Sequence, residues 1–336
     1  MTKPSDLIRH LSLAGVLLLD VALSAPATAA PLPLRTIVDF PLGQATQRYD
    51  YESLDPRTGR LFIADLAGGR VLVVDVKTGR LVKAIAGLPR VHGVLAVPEQ
   101  GRVYASVTGE DQVATIDEAT LSVIARVPGG HYPDGMAWDP KLNKLYVSDE
   151  HGQAVAVIDL AHNTLLKTIP LGGDVGNTQF DPADDLVYSN NQSTDELIAI
   201  DPISDTVTAR WKLPGCEENH GMLIDPSRQL AYIACQANAK LVTFSLRDHK
   251  PLDTQSIGDD PDVLAADLAA HRLYVSAESG VVSVFDISGD GPHKMGEAKL
   301  ANNAHVVAAD PKTHHVFFPL RDVSGQPVLR VMEPDQ

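Results

Sequence analysis

A short sequence pattern recurs seven times along the chain at a nearly constant spacing. Each copy carries an aromatic residue after a short apolar run, as in RLFIAD, RVYASV and KLYVSD. Successive aromatic residues lie 42, 42, 42, 44, 42 and 43 residues apart. These residues are Phe62, Tyr104, Tyr146, Tyr188, Tyr232, Tyr274 and Phe317. A period that holds over the whole chain predicts a repeat architecture instead of two separate globular domains.

Each repeat contains four short segments that are typical of β-strands. In the third repeat they are GMAWDP, KLYVSD, AVAVIDL and TLLKTIPL, which are rich in Val, Ile, Leu and Tyr. Turns such as DPRTGR separate them, where Pro fixes φ and the Asp side chain can accept hydrogen bonds from backbone N–H groups. Four antiparallel strands in about 42 residues form one propeller blade. The sequence therefore predicts an all-β fold, a seven-bladed β-propeller.

The ring of blades needs a strand from the N-terminal end of the chain. The seventh repeat, from His305, contains only three strand segments. The segment RTIVDFPLG resembles LLKTIPLGG of the third repeat. We therefore predict that residues 35–43 form the fourth strand of the seventh blade and pair an otherwise open sheet edge. Residues 30–336 are predicted to form one domain.

The layout LYVSD…VAVIDL…TLLKTIPLG resembles that of the YVTN-type, YncE-like seven-bladed β-propellers of bacteria. The third repeat is the best match, and the resemblance covers about residues 35–336. It implies the fold and export from the cytoplasm, but no chemistry, because most members have no assigned activity. A nucleic-acid-binding role has been proposed within the family. The net charge of −15 argues against such a partner here.

Residues 1–29 have the features of a secretory signal peptide. Lys3 and Arg9 precede the apolar stretch LSLAGVLLLDVALSA, and Ala27 and Ala29 fit a cleavage site. Asp20 within the apolar stretch is unfavourable in a membrane, and a disordered tail is the alternative. No later stretch is long and apolar enough to span a bilayer. We expect a periplasmic or secreted monomer.

One position of the repeat is rich in Asp and His. It lies five residues before the Asp of each turn, or its equivalent, and begins the innermost strand of the blade. Because these strand starts surround one mouth of the central channel, seven distant residues are expected to converge there. They are Asp50, His92, Asp134, Gly176, His220, Asp262 and His305, and Asn177 can take the place of the glycine beside it.

The three histidines of this ring belong to blades two, five and seven, which gives a distorted trigonal arrangement. Three imidazoles around an open position can bind zinc or copper, so His92, His220 and His305 are the predicted metal ligands. The aspartates could orient the imidazole N–H groups or bind calcium themselves. The alternative is a polar funnel that binds a small ligand or partner protein, or nothing.

The chain has two cysteines, Cys216 and Cys235. An even pair in an exported protein favours a disulfide, which would close a loop of about 20 residues near the channel mouth. Free thiols beside His220 would instead favour a copper or zinc site.

The catalytic motifs of common enzyme classes are absent from the sequence. It contains no GxSxG, Walker A loop, dinucleotide fingerprint or CxxCH. The first hypothesis is an exported binding protein that uses the channel mouth for a small ligand, a metal or a periplasmic partner protein. The alternative is a metal-dependent lyase or lactone hydrolase with the metal on the three histidines. Catalytic residues cannot be assigned from the sequence.

Overall fold

The computed structural model describes residues 31–335 as seven four-stranded antiparallel sheets arranged in a ring. The predicted signal peptide, residues 1–29, lies outside the described residues. The innermost strands of neighbouring blades pack against one another all the way round the ring. The all-β, seven-bladed prediction is therefore confirmed. Within residues 31–335 the only helical segments are two short 3₁₀ turns, Pro98–Gln100 and Thr108–Glu110.

The strands follow the repeat closely and succeed one another in each blade from the innermost strand outward. The N-terminal strand is β1 Leu34–Pro41, and blade one consists of β2 Glu52–Asp55, β3 Arg60–Asp65, β4 Arg70–Asp75 and β5 Arg80–Ala86; blade two consists of β6 Val91–Val97, β7 Arg102–Val107, β8 Gln112–Asp117 and β9 Ser122–Pro128. Blade three consists of β10 Pro133–Asp139, β11 Lys144–Asp149, β12 Ala154–Asp159 and β13 Thr164–Pro170; blade four consists of β14 Val175–Asp181, β15 Leu186–Asn191, β16 Glu196–Asp201 and β17 Thr206–Lys212; blade five consists of β18 Asn219–Asp225, β19 Leu230–Cys235, β20 Lys240–Ser245 and β21 Lys250–Ser256. Blade six consists of β22 Pro261–Asp267, β23 Arg272–Ala277, β24 Val281–Asp286 and β25 His293–Lys299; blade seven contains β26 Ala308–Ala309, β27 Val316–Val323 and β28 Gln326–Pro334.

The sheet of blade seven contains both ends of the described chain. Its strand order is β1-β28-β27-β26, and β1 runs antiparallel to β28 with Leu34 opposite Pro334 and Phe40 opposite Leu329. The N-terminal strand was predicted at residues 35–43 and is found at Leu34–Pro41. It forms the outer edge of this blade, while the two-residue β26 is its innermost strand.

The core is divided into seven apolar clusters, one at each interface between neighbouring blades. The aromatic residue of every repeat lies in the cluster that its blade forms with the next one. All seven of these rings are buried, with at most 2 % of their surface exposed. The repeated aromatic residue therefore joins blade to blade, which explains why the sequence has one in every period.

The hydrogen bonds predicted for the turns from the sequence are also present. The carboxyl group of the turn Asp accepts a hydrogen bond from the backbone N–H two residues further on. Examples are Asp55 to Arg57 at 2.7 Å and Asp139 to Lys141 at 2.8 Å. These turns lie at the end of the ring opposite the start of the innermost strands.

The buried tyrosines differ in how their hydroxyl groups are used, which gives a matched test of the interface. The Tyr146 hydroxyl donates to Asp205 Oδ1 at 2.8 Å, whereas the Tyr274 hydroxyl is buried without a partner in the described part of the chain. We expect Tyr146→Phe to lower the free energy of unfolding by about 1 kcal/mol, and Tyr274→Phe to leave it unchanged or raise it. Phe62 and Phe317 already occupy this position in blades one and seven. Urea unfolding measures the difference, and equal losses in the two variants would show that the Tyr146 hydrogen bond does not stabilise the interface.

Candidate functional site

Six of the predicted channel-mouth residues lie together at one end of the channel. Asp50, His92, Asp134, His220 and Asp262 line a cavity of about 170 Å³. The sixth, His305, is 0 % exposed, and its Nε2 lies 3.7 Å from Asp262 Oδ2. All six side chains are buried. The start of the innermost strand is thus a shared site contributed by six blades.

A β-bulge recurs where the innermost strand begins in blades two to six. A bulge interrupts the pairing of two strands and changes the direction of the side chains within it. The register shifts occur between Val91 and Val94, Pro133 and Met136, Val175 and Thr178, Asn219 and Met222, and Pro261 and Leu264. In each of these blades the ring residue lies inside the bulge, so the local backbone determines where its side chain points, except in blade four, where the ring residue is Gly176.

Glycine follows the ring residue at two places where neighbouring blades approach closely. A Cβ at Gly93 would lie 2.4 Å from the carbonyl oxygen of Asp134, and one at Gly221 would lie 2.0 Å from that of Asp262. No side chain fits at these distances. These two glycines therefore let each strand start pack against the next and keep the ring at the mouth narrow.

His220 and Asp262 form an ion pair within the mouth. His220 Nε2 lies 3.2 Å from Asp262 Oδ1, and both side chains are nearly inaccessible to solvent. Burial alone would lower the pKa of His220, but Asp262, Asp134 and Glu150 outweigh it and raise the pKa to about 9. Burial likewise opposes ionisation of Asp262, but the His220 imidazolium and the Arg48 guanidinium hold its pKa at about 2. His220 is therefore an imidazolium at neutral pH.

His92 has the opposite protonation state. Burial lowers its pKa to about 4. Its Nδ1 lies 3.0 Å from the Arg90 carbonyl oxygen, and its Nε2 lies 3.2 Å from the Tyr132 hydroxyl. Because Arg90 Nη2 donates to that hydroxyl at 3.1 Å, Tyr132 can donate its own proton to His92. Both ring nitrogens of His92 are thus engaged within the protein.

His305 has one free ring nitrogen that faces carboxyl groups. Its Nδ1 lies 3.2 Å from the Asn303 carbonyl oxygen and acts as donor to it. Its Nε2 is buried and has no hydrogen-bond partner among residues 31–335. Donor atoms of His305, Asp50 and Asp262 all lie within 4.8 Å of one another. An imidazole nitrogen and two carboxyl groups thus converge on one small volume.

The three predicted metal ligands do not converge in the same way. In the described part of the chain, the one group of three potential ligands that meets this 4.8 Å limit is Asp50, Asp262 and His305. His305 is shared with the predicted set, whereas His220 is paired with Asp262 and His92 with Tyr132. A site on all three histidines stays a prediction that these distances do not support.

Arg48 is a second positive group beside this cluster, in addition to the His220 imidazolium. Its Nε lies 3.4 Å from Asp50 Oδ2, its Nη2 lies 3.9 Å from Asp262 Oδ2, and its Nη1 pairs with Glu278. Burial raises the pKa of Asp50 to about 8, with further contributions from Asp262 and Asp134. One arginine therefore does not fully compensate the carboxyl groups around it.

Asn177 lies deeper than the other predicted residues. Its side-chain amide donates to the Tyr51 hydroxyl. Tyr51 belongs to blade one and Asn177 to blade four, so this hydrogen bond crosses the channel. Tyr51 lines the mouth cavity on one side and a second cavity, which Asn177 also lines, on the other. The pair forms the floor of the mouth.

Several mouth residues were not predicted from the sequence. Besides Arg48, they are Glu150, Gln236 and Glu278. Each of the last three directly follows the second strand of its blade. With Gln192 they are spaced 42, 44 and 42 residues apart, so the same period would have revealed a second polar ring.

The predicted disulfide between Cys216 and Cys235 is confirmed. Cys235 ends β19, and Cys216 lies in the segment that leads into β18. The bond therefore ties the chain just before His220 to the neighbouring strand. In the part of the chain that the structure describes, no cysteine is free.

Comparisons with known proteins identify the fold and no more. No family model and no curated protein matches the chain. Solved structures do match. They include a Kuenenia stuttgartiensis hydrazine synthase chain with 16 % identity and a TM-score of 0.69, where the match covers 91 % of this chain and 99 % of that one. U3-55K has 11 % identity and a TM-score of 0.74, covering 90 % and 98 %.

The WD40 repeats of RRP9 are also similar, with 11 % identity, a TM-score of 0.74 and coverage of 91 % and 99 %. Likenesses at these identities support a seven-bladed β-propeller and say nothing of activity. Across residues 31–335, no helix has the length and apolar character needed to cross a membrane.

The opposite protonation states of His220 and His92 can be measured directly. By ¹⁵N NMR, we expect His220 to stay protonated until about pH 9 and His92 to stay neutral down to about pH 4. The ion pair of His220 then stabilises the fold fully below pH 6.5 and less as the pH rises through about 9. Asp262→Asn should lower the pKa of His220, because burial then acts without its main counter-charge. A neutral His220 at pH 7 in the unaltered protein would contradict the ion pair.

Proposed function

We propose that the protein is a binding protein whose channel mouth holds a divalent metal ion on Asp50, Asp262 and His305. The observation that carries this proposal is the convergence of three buried donor groups within 4.8 Å. One of them, His305 Nε2, has no hydrogen-bond partner in the described chain. The cavity of about 170 Å³ beside them leaves room for water or a small ligand on the ion.

The charge of the mouth also favours a cation. Five carboxyl groups line the cavity, those of Asp50, Asp134, Glu150, Asp262 and Glu278. The positive groups among the lining residues are Arg48 and the protonated His220. Buried carboxyl groups repel one another when ionised, and a bound cation removes this repulsion.

Of zinc, copper and calcium, zinc fits this donor set best. Zinc accepts carboxylate oxygen and imidazole nitrogen together and commonly binds three protein ligands plus water. Calcium requires six to eight oxygen ligands, and copper favours sites richer in nitrogen or sulfur. Two carboxylates, one imidazole and an open position therefore favour zinc.

The proposal also includes export from the cytoplasm and a relationship to the YncE-like family. The features of residues 1–29 and the disulfide support export to the periplasm or secretion. The repeat layout supports a relationship to the YncE-like propellers, with a single domain over residues 30–336 that acts as a monomer. The unidentified ligand or periplasmic partner protein would bind at the mouth.

Zinc titration of metal-stripped protein tests the site. We expect one equivalent to bind, and Asp50→Asn to weaken binding by about 100-fold or more, because a ligand is lost from a three-ligand set. This variant is close in size to the original residue, and Asp50 resists ionisation when no metal is present. Isothermal titration calorimetry after treatment with a chelator measures both values.

Two further variants make this test sharper. Arg48→Gln removes one of the two positive groups at the mouth and should tighten zinc binding by roughly tenfold. His162→Ala removes an exposed histidine far from the mouth and should leave binding unchanged. Equal zinc affinity in Asp50→Asn and the unaltered protein, or no binding in either the unaltered protein or Arg48→Gln, would refute the metal site.

A further inference from the structure

A second cavity lies below the floor formed by Tyr51 and Asn177. It has a volume of about 280 Å³ and is lined by the innermost strands of the ring. Leu54 and Ala309, which also line it, lie immediately before the turns of the opposite face. The cavity therefore occupies the channel between the mouth and the far end, separate from the proposed metal site.

Glu52 breaks the pattern of the repeat inside this cavity. It lies two residues after the ring residue of blade one. The other six blades have apolar residues or threonine at this position, namely Val94, Met136, Thr178, Met222, Leu264 and Val307. All seven side chains line the cavity. A single carboxyl group thus stands in a predominantly apolar ring.

The carboxyl group of Glu52 is also unpartnered. Both of its oxygens are buried and have no hydrogen-bond partner in the described part of the chain. The other polar side chains that line the cavity are all engaged within the protein. They are Tyr51 and Asn177 with each other, Ser53 with the amide of Ala96, Thr178 with Ser148 and Ser189, and Gln179 with the backbone of Met222 and Ile224.

An unpartnered buried carboxyl group lowers the stability of a fold. An apolar residue, as in the neighbouring blades, would fill the same position without this loss. Burial raises the pKa of Glu52 well above its usual range, and the nearby backbone N–H of Ala308 offsets part of that shift. A residue that departs from the repeat at a cost in stability points to a role in binding.

We propose that this cavity is a second ligand site, which binds a small primary ammonium ion through Glu52. A carboxylate surrounded by apolar side chains matches an ammonium group that carries a short alkyl chain. A metal ion suits the cavity poorly, because no second side-chain donor among the described residues is free to complete its coordination. The ammonium group would donate hydrogen bonds to the two oxygens of Glu52, which have no other partner in the described part of the chain.

The probe for this site is n-propylammonium, added to protein stripped of metal with a chelator. We expect saturable binding by calorimetry at pH 7. Glu52→Gln keeps the size of the side chain and should weaken binding at least about tenfold. Propan-1-ol, which lacks the charge, should not compete.

Glu52→Leu separates a ligand site from a structural role. It copies the residue of blade six, Leu264, and should raise the Tm of the ligand-free protein while abolishing the response to n-propylammonium. A lowered Tm in this variant and in Glu52→Gln would show that the carboxyl group supports β26 through Ala308, and would overturn the proposal. Equal binding to Glu52→Gln and the unaltered protein, or no binding to either, would also overturn it.

The proposals for the two sites can be tested separately. Asp50→Asn, which removes a proposed zinc ligand, should leave binding of n-propylammonium intact. Loss of amine binding in Asp50→Asn would assign the amine to the mouth and overturn the proposal for Glu52.

Discussion

The packing of one aromatic side chain between each pair of neighbouring blades holds the ring together. A four-stranded antiparallel blade has two faces to cover and cannot bury them by itself. In this protein every interface has its own apolar cluster, and the aromatic residue of the preceding blade lies in it. Because the seven interfaces close the blades into a ring, the seven strand starts are brought to one mouth.

That convergence makes chemically similar residues behave differently. Three histidines occupy the same position of the repeat, yet one is an ion-paired imidazolium, one is neutral and bonded to Tyr132, and one has a free nitrogen beside Asp262. The differences come from the neighbours supplied by other blades, in a region where burial strengthens every electrostatic interaction. The hydrogen bond between Tyr51 and Asn177 then divides the channel into a charged mouth and a mostly apolar interior.

The features that depend on periodicity could be predicted from the sequence. The blade count, the strand order within each repeat and the position of the channel-mouth ring all follow from the 42-residue period. Ligand geometry does not, because bulges set the direction of the ring side chains in blades two, three, five and six, and because Asp262 pairs with His220. Glu150 and Glu278 could have been found from the sequence as part of a second polar ring. The lack of hydrogen-bond partners for Glu52 could be recognised only from the structure, where both of its carboxyl oxygens are buried.

The cation site at the mouth depends on buried donors that converge on one point. The most direct measurement is X-ray diffraction from crystals soaked in zinc, with anomalous data collected on both sides of the zinc absorption edge. We predict a peak bounded by Asp50, Asp262 and His305, at about 2.0–2.2 Å from each ligand atom, with Arg48 moved away. An empty mouth with Arg48 still bridging the two aspartates would contradict the cation site, because the arginine would then be the permanent counter-charge of this cluster.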